Sequence, residues 1–217
     1  MIKAVIFDAG EVIHYRDGKT LRPITDFLKK KGYNISPDKL KKAYDEDVLS
    51  AYKGKISKDE HLKKILEFLK IRYNDNFFTE FANIFREYFS NTKLTKNIPN
   101  VFEIIKSMGI KIAILTDTFS TEEKRWEWFK NNNLAHHIDY IFCSSVTGHT
   151  KDEKEAYETV LQRLNLKPDE IIFVGHKKYE MQGAKLGGIK SVSLEKGVGG
   201  DYYIKGISEI LELIKKF

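Results

Sequence analysis

The 217 residues include one cysteine, Cys143, so no internal disulfide can form. That composition suits a reducing compartment. Long apolar runs are missing too. None approaches the ~18 residues a membrane-crossing helix needs, so no membrane partner is expected. The N-terminus runs directly into a candidate strand, without a basic region, a long apolar stretch or a cleavage site. No signal peptide is expected, and the expected location is the cytoplasm. Zinc-ligand spacings and aromatic-basic strand motifs are also lacking, which argues against nucleic acid as a partner. The formal net charge of +6 does not change this. The lysines alternate with acids in stretches such as LKKAYDED and SKDEHLKKILEFLK, the pattern of a solvated surface. A positive excess also suits an anionic substrate. No internal repeat or low-complexity linker interrupts the chain.

What is present supports a packed core: hydrophobic residues make up 41% and charged residues 31%. Residues 2–7, IKAVIF, form a short run rich in β-branched residues and predict a buried strand. Residues 20–92 carry no convincing strand and predict about four helices. Ser36 before Pro37 is an N-cap with a first-turn proline, and Ser57 with Glu60 has the spacing of a capping box. Leu62, Ile65, Leu66 and Leu69 make one apolar stripe. Phe77, Phe78, Phe81, Ile84, Phe85 and Phe89 make another, expected in a core. From residue 97 helix and strand alternate: NIPNVFEIIKSMG, IKIAILT, STEEKRWEWFKNN, IDYIFCS, KDEKEAYETVLQRL, DEIIFVG, YEMQGAKLGG, IKSVSL and GISEILELIKK. Such alternation predicts an α/β fold with a Rossmann-like parallel sheet and helices on both faces. Residues 1–15 and 93–217 form this core in the expected domain plan, with 16–92 inserted as a small all-helical domain.

In open α/β sheets, ligands bind beyond the carboxyl ends of the strands. AVIFDAGEVI puts Asp8 at such an end. Thr116 and Asp117, Ser144 and Ser145, and His176 stand at later strand ends, and Lys151 is expected to begin a helix. If the strands are neighbours, these groups meet in one crevice. A carboxylate, a hydroxyl and an ammonium there suit nucleophilic chemistry on an anionic substrate. Asp8 is the candidate nucleophile, Lys151 neutralises charge and keeps Asp8 ionised, and Thr116 hydrogen-bonds a phosphoryl oxygen. Ala9 and Gly10 let backbone amides approach the substrate, and Asp117 is expected beside it.

These stretches resemble the haloacid dehalogenase-like hydrolase superfamily over nearly the whole chain. IKAVIFDAGEVI is similar to its first motif and KIAILTDT to its second. SSVTGHTKDEKEAYETVL is similar to the third, with Ser144, Gly148, Lys151 and Tyr157 at matching spacing. IIFVGHKKYEMQGAKLGGIKSV is similar to the fourth through Gly175, Gly183, Ala184 and Gly188. The resemblance implies that residues 16–92 are a cap that closes over the site and selects the substrate. It also implies a hydrolase acting on a small phosphorylated metabolite through an aspartyl-phosphate at Asp8.

Two positions depart from the pattern. Gly10 stands where phosphatases of the family carry an acid/base aspartate, which leaves Glu11 as the adjacent candidate. His176 stands where the family has a magnesium-binding aspartate. The implied metal set is Asp8, the Gly10 carbonyl, His176 and, four residues on, Glu180. Imidazole suits Mg²⁺ poorly, so Mn²⁺ or no metal are alternatives. His176 either ligates a softer metal, acts as a general base or marks a site without metal. Two other readings follow from these departures. One is a metal-independent dehalogenase-type hydrolase. The other is a catalytically reduced protein that binds a phosphorylated ligand or a partner. His149 is read as a surface loop residue, and Trp126 and Trp128 as core or interdomain packing.

Overall fold

The computed structural model describes residues 1–16 and 21–217; residues 17–20, part of the expected insertion, lie outside the described residues. The chain forms two compact units, Met1–Tyr15 with Leu94–Phe217, and Arg16–Lys93. The strands among the described residues are β1 (Ala4–Phe7), β2 (His14–Tyr15), β3 (Lys93–Leu94), β4 (Lys111–Thr116), β5 (Tyr140–Cys143), β6 (Ile171–Gly175), β7 (Lys190–Ser193) and β8 (Tyr202–Tyr203). Six of them form one sheet in the order β5-β4-β1-β6-β7-β8, and β2 pairs with β3. The pairings in the large sheet are all parallel.

Helices α1 (Arg22–Lys30), α2 (Pro37–Asp45), α3 (Val48–Tyr52), α4 (Lys58–Phe68) and α5 (Asp75–Ser90) belong to the inserted segment. The remaining helices are α6 (Ile98–Ser107), α7 (Glu122–Asn131), α8 (Ser144–Thr147), α9 (Lys154–Leu164), α10 (Lys178–Leu186) and α11 (Ile210–Ile214).

Side chains alternate across each strand, so the apolar runs fill two layers. Val5, Phe7, Ile112, Ile114, Ile172 and Val174 pack with Val101, Phe102 and Ile105 of α6 and with Ile210 and Leu213 of α11. Ala4, Ile6, Ala113, Leu115, Ile171 and Phe173 face the other way, onto Tyr157 and Val160 of α9 and Met181 and Ala184 of α10. The central strands β1, β4 and β6 thus bury both faces, which explains why they read as unbroken apolar runs. Trp126 and Trp128 pack against the first of these layers.

The inserted unit has its own core, built on Ile24, Leu28, Leu40, Leu62, Ile65, Leu66, Phe81 and Phe85. Phe77, Phe78, Ile84 and Phe89 lie partly buried around it. Its helices start where the sequence places caps. Ser36 Oγ accepts the Lys39 amide at 3.2 Å. Ser57 Oγ accepts the Glu60 amide at 3.1 Å while Glu60 Oε2 accepts the Ser57 amide at 2.6 Å. Five helices replace the expected four because α3 is a separate five-residue element. No helix is long and apolar enough to cross a membrane among the described residues.

Local expectations fail at Lys151. It lies in a turn, and α9 begins at Lys154. The Thr150 hydroxyl donates to Asp152 Oδ1 at 2.5 Å, and the Thr150 amide donates to Glu153 Oε2 at 3.1 Å. These side chains bind the turn that precedes the helix, which delays its start.

Candidate active site

Strand order sets the site's position. β1 lies between β4 and β6, so the chain moves outward from it in one direction and later in the other. The carboxyl end of such a strand is where a crevice opens. Asp8 occupies that end, its amide donating to the Val174 carbonyl at 2.9 Å and its side chain 3% exposed.

Lys151 arrives from the turn before α9. Its Nζ meets Asp8 Oδ1, lies 3.1 Å from Glu180 Oε1 and 3.9 Å from Asp117 Oδ2. Its backbone is fixed as firmly: the amide donates to Asp117 Oδ1 at 3.1 Å, and the carbonyl lies 3.2 Å from the Tyr157 hydroxyl. That hydroxyl also reaches the Glu180 carbonyl at 2.8 Å. His176 completes the cluster, with Nδ1 3.2 Å from Asp8 Oδ2 and 3.6 Å from Glu180 Oε2. Glu180 sits in the first turn of α10, where its Oε2 accepts the amides of His176 at 2.9 Å and Lys177 at 3.1 Å. Those amides would otherwise be orphan donors at the helix start.

Two glycines make room for this. A Cβ at Gly175 would lie 2.7 Å from Glu180 Oε2, so the missing side chain lets that carboxylate fold back beneath the strand end. A Cβ at Gly183 would lie 2.0 Å from the Lys151 carbonyl oxygen. Backbone rather than a flexible side chain occupies that space. Gly183→Ala is expected to push α10 from the Lys151 turn and cost about 2–3 kcal/mol as overpacking. Thermal unfolding measures the loss; an unchanged melting temperature would contradict the close approach.

Charge follows from the contacts. Burial pushes the Asp8 carboxyl up, but the Lys151 ammonium, and after it His176, outweigh burial and hold it well below the usual carboxylate range. Asp117 moves the other way: burial raises it, and Lys151 offsets this only in part. Burial disfavours the Lys151 ammonium, yet Asp8, Glu180 and Asp117 together hold it well above the ordinary lysine value. Asp8 is therefore the ionised carboxylate at the crevice, with the character a nucleophile needs. Cys143 has the opposite character, its thiol pushed up to about 12 by burial.

The expected site residues fall into two groups. Asp8, Lys151, Asp117, His176 and Glu180 form one contact cluster. Asp117, expected beside the substrate, has Oδ1 on the Lys151 amide and Oδ2 3.3 Å from the Tyr179 hydroxyl. Thr116 ends the neighbouring strand, 3% exposed. Within β4 its side chain leaves the strand on the face opposite to Leu115. The Ala9 methyl belongs to the core, and its carbonyl accepts the amides of Ile13 at 3.0 Å and His14 at 3.1 Å. Gly10 borders open space, since a Cβ there would meet nothing within 4 Å. Glu11 follows in a turn with a left-handed φ of 58°, so strand alternation does not set its direction.

Ser144 braces the loop after β4, its Oγ accepting the Thr118 amide at 3.0 Å. Ser145 braces it too, donating to the Ser120 carbonyl at 2.7 Å. His149 stays at the surface, 3.8 Å from Glu153. Sequence reasoning gave Tyr179 no role; its place beside Glu180 in the first turn of a helix at a strand end was the available signal.

Asp8, His176 and Glu180 each offer a ligand atom within 4.8 Å of the others. His176 Nδ1 is buried without a hydrogen-bond partner of adequate geometry. Buried polar atoms rarely stay unpaired, so the group has the position of a divalent cation site. Its chemistry does not fit Mg²⁺, which takes oxygen ligands in near-octahedral geometry, because one of the three donors is an imidazole nitrogen.

Comparison with known proteins agrees with this architecture. The haloacid dehalogenase-like hydrolase family matches residues 5–194, and the chain belongs to that family. The phosphorylated carbohydrates phosphatase of Thermotoga maritima is 27% identical over 195 residues, 88% of this chain and 84% of that protein. The glyceraldehyde 3-phosphate phosphatase of Pyrococcus furiosus is 26% identical over 172 residues, 72% of this chain and 69% of that protein. The crystal structure of 2-haloacid dehalogenase from Pseudomonas syringae pv. tomato DC3000 superposes with a TM-score of 0.70 at 16% identity, covering 100% of this chain and 99% of that one. At that identity the likeness concerns the fold.

Proposed function

We propose that this hydrolase is a phosphatase of small phosphorylated metabolites with Asp8 as its nucleophile. One observation carries the reading: a buried aspartate, held ionised by Lys151, stands at the strand end where the sheet's crevice opens. The names of the two relatives above make phosphorylated carbohydrates the first substrates to try. In the reaction, an Asp8 oxygen attacks phosphorus while the bond to the leaving oxygen breaks, giving an aspartyl-phosphate and an alcohol. Lys151 offsets charge on the phosphoryl oxygens, and Thr116 and the backbone near Gly10 offer hydrogen bonds to them. Asp117, Tyr157 and Tyr179 position Lys151. Glu11 is our candidate to protonate the leaving oxygen and later to take a proton from water. Water then attacks phosphorus, releasing phosphate and restoring Asp8. Substrate choice is assigned to the inserted unit, and the single buried cysteine fits a reducing cytoplasm.

The test is release of inorganic phosphate from an aryl phosphate and from triose and hexose phosphates, alongside release of halide from a 2-haloacid. Each is run with chelator and with added divalent ions. Phosphate without halide is the expected result. Halide without phosphate would transfer the nucleophile to carbon. Neither product, with thermal stabilisation by a phosphate ester, would make this a binding protein.

A further inference from the structure

The disagreement between the donor set and Mg²⁺ is specific. We propose that Asp8, His176 and Glu180 form a site for a divalent transition cation, with Zn²⁺ preferred over Mn²⁺ and Mg²⁺ last. Geometry comes first. His176 Nδ1 lies 3.2 Å from Asp8 Oδ2 and 3.6 Å from Glu180 Oε2. Ligand atoms around a tetrahedral zinc with bonds of about 2.0–2.1 Å stand roughly 3.3 Å apart. The imidazole approaches both carboxylates at ligand spacing, yet Nδ1 has no hydrogen-bond partner of adequate geometry. Glu180 Oε1 is taken by the Lys151 ammonium at 3.1 Å, which leaves Asp8 Oδ2, His176 Nδ1 and Glu180 Oε2 as the atoms that face one another. An imidazole nitrogen held between two carboxylates without a hydrogen bond is placed as a ligand of a common third body.

Charge and support agree. Asp8, Asp117 and Glu180 face one ammonium, Lys151. Ionised, they leave two formal negative charges in a buried space, the charge a divalent cation removes. Glu180 is already oriented by the amides of His176 and Lys177, the kind of outer support that ligating carboxylates receive. Imidazole then decides among cations. It suits Zn²⁺ well and Mg²⁺ poorly, and divalent affinities rise from Mn²⁺ toward the end of the first transition row.

Titration calorimetry of the whole chain with Zn²⁺, Mn²⁺ and Mg²⁺, supported by thermal shift, reads the site without using activity. The wild type is expected to bind Zn²⁺ at least about tenfold more tightly than Mg²⁺. His176→Asp is expected to lose about tenfold or more in Zn²⁺ affinity and to gain Mg²⁺ binding, because a third carboxylate replaces the nitrogen. His176→Ala, which needs no new carboxylate to be accommodated, is expected to lose Zn²⁺ without gaining Mg²⁺. Equal affinity for Zn²⁺ and Mg²⁺, or no ion binding at all, overturns the proposal. So does Zn²⁺ affinity unchanged in both variants, which would move the ion elsewhere, for instance to the paired rings of His136 and His137. A chain that binds Zn²⁺ in this way but releases no phosphate keeps the cation site and loses the phosphatase reading; the reverse outcome does the opposite.

Discussion

Asp8→Asn is expected to lower phosphate release at least about 10³-fold while the fold persists, the scale seen when a nucleophile is removed. The amide has nearly the shape of the carboxylate but cannot attack phosphorus. Lys151 keeps Glu180 and Asp117 as ion partners, so its ammonium is not stranded. Phosphate release and circular dichroism on the same sample separate loss of chemistry from loss of structure. Wild-type activity with Asp8→Asn would place the reaction on another group. The wild-type stability profile carries a second signature. Asp8 has a folded value below its unfolded one, so its contribution is present above the ordinary carboxylate value of ~3.9. It is lost as the pH falls from there toward the lower folded value. Asp8→Asn should remove that part of the acid transition.

Lys151→Met is expected to have the largest effect on stability. It leaves Asp8, Glu180 and Asp117, all buried, without the ammonium that touches them. Breaking a buried ionic cluster by removing one partner costs about 3–5 kcal/mol, or roughly 6–20 °C in melting temperature for a chain of this size. The pH dependence should steepen. In the variant the stranded carboxylates have folded values raised above unfolded ones, so they bind protons more readily when folded. Stability should therefore rise as the pH falls from 7 toward 5, and more steeply than in the wild type, where Asp117 is raised but Asp8 is held low. Melting curves across that range test it, and equal melting temperatures at neutral pH would show that Lys151 is not the counter-ion of the cluster.

Legibility depended on range. Helix starts at Ser36 and Ser57 were readable because a cap is a bond across three residues. Apolar runs such as AVIF and IIFVG were readable as strands because burial on both faces leaves no room for polar alternation. Two-residue strands such as β2, β3 and β8 have too few residues to show a period. At Lys151, a turn held by Thr150 replaced the expected helix start.

The site divides in the same way. Sequence alone supplied the residue types at strand ends, the departures at Gly10 and His176, and the insertion after the first strand, since these follow from pattern along one chain. Tertiary structure decided that Lys151 meets Asp8 across 143 residues of sequence, that Asp117 rather than Thr116 braces the lysine, and that Glu180 both caps α10 and joins the cluster. Those outcomes depend on the spatial order of the strands and on how closely Gly183 lets a helix approach a turn, and no period or cap motif within a single segment encodes either.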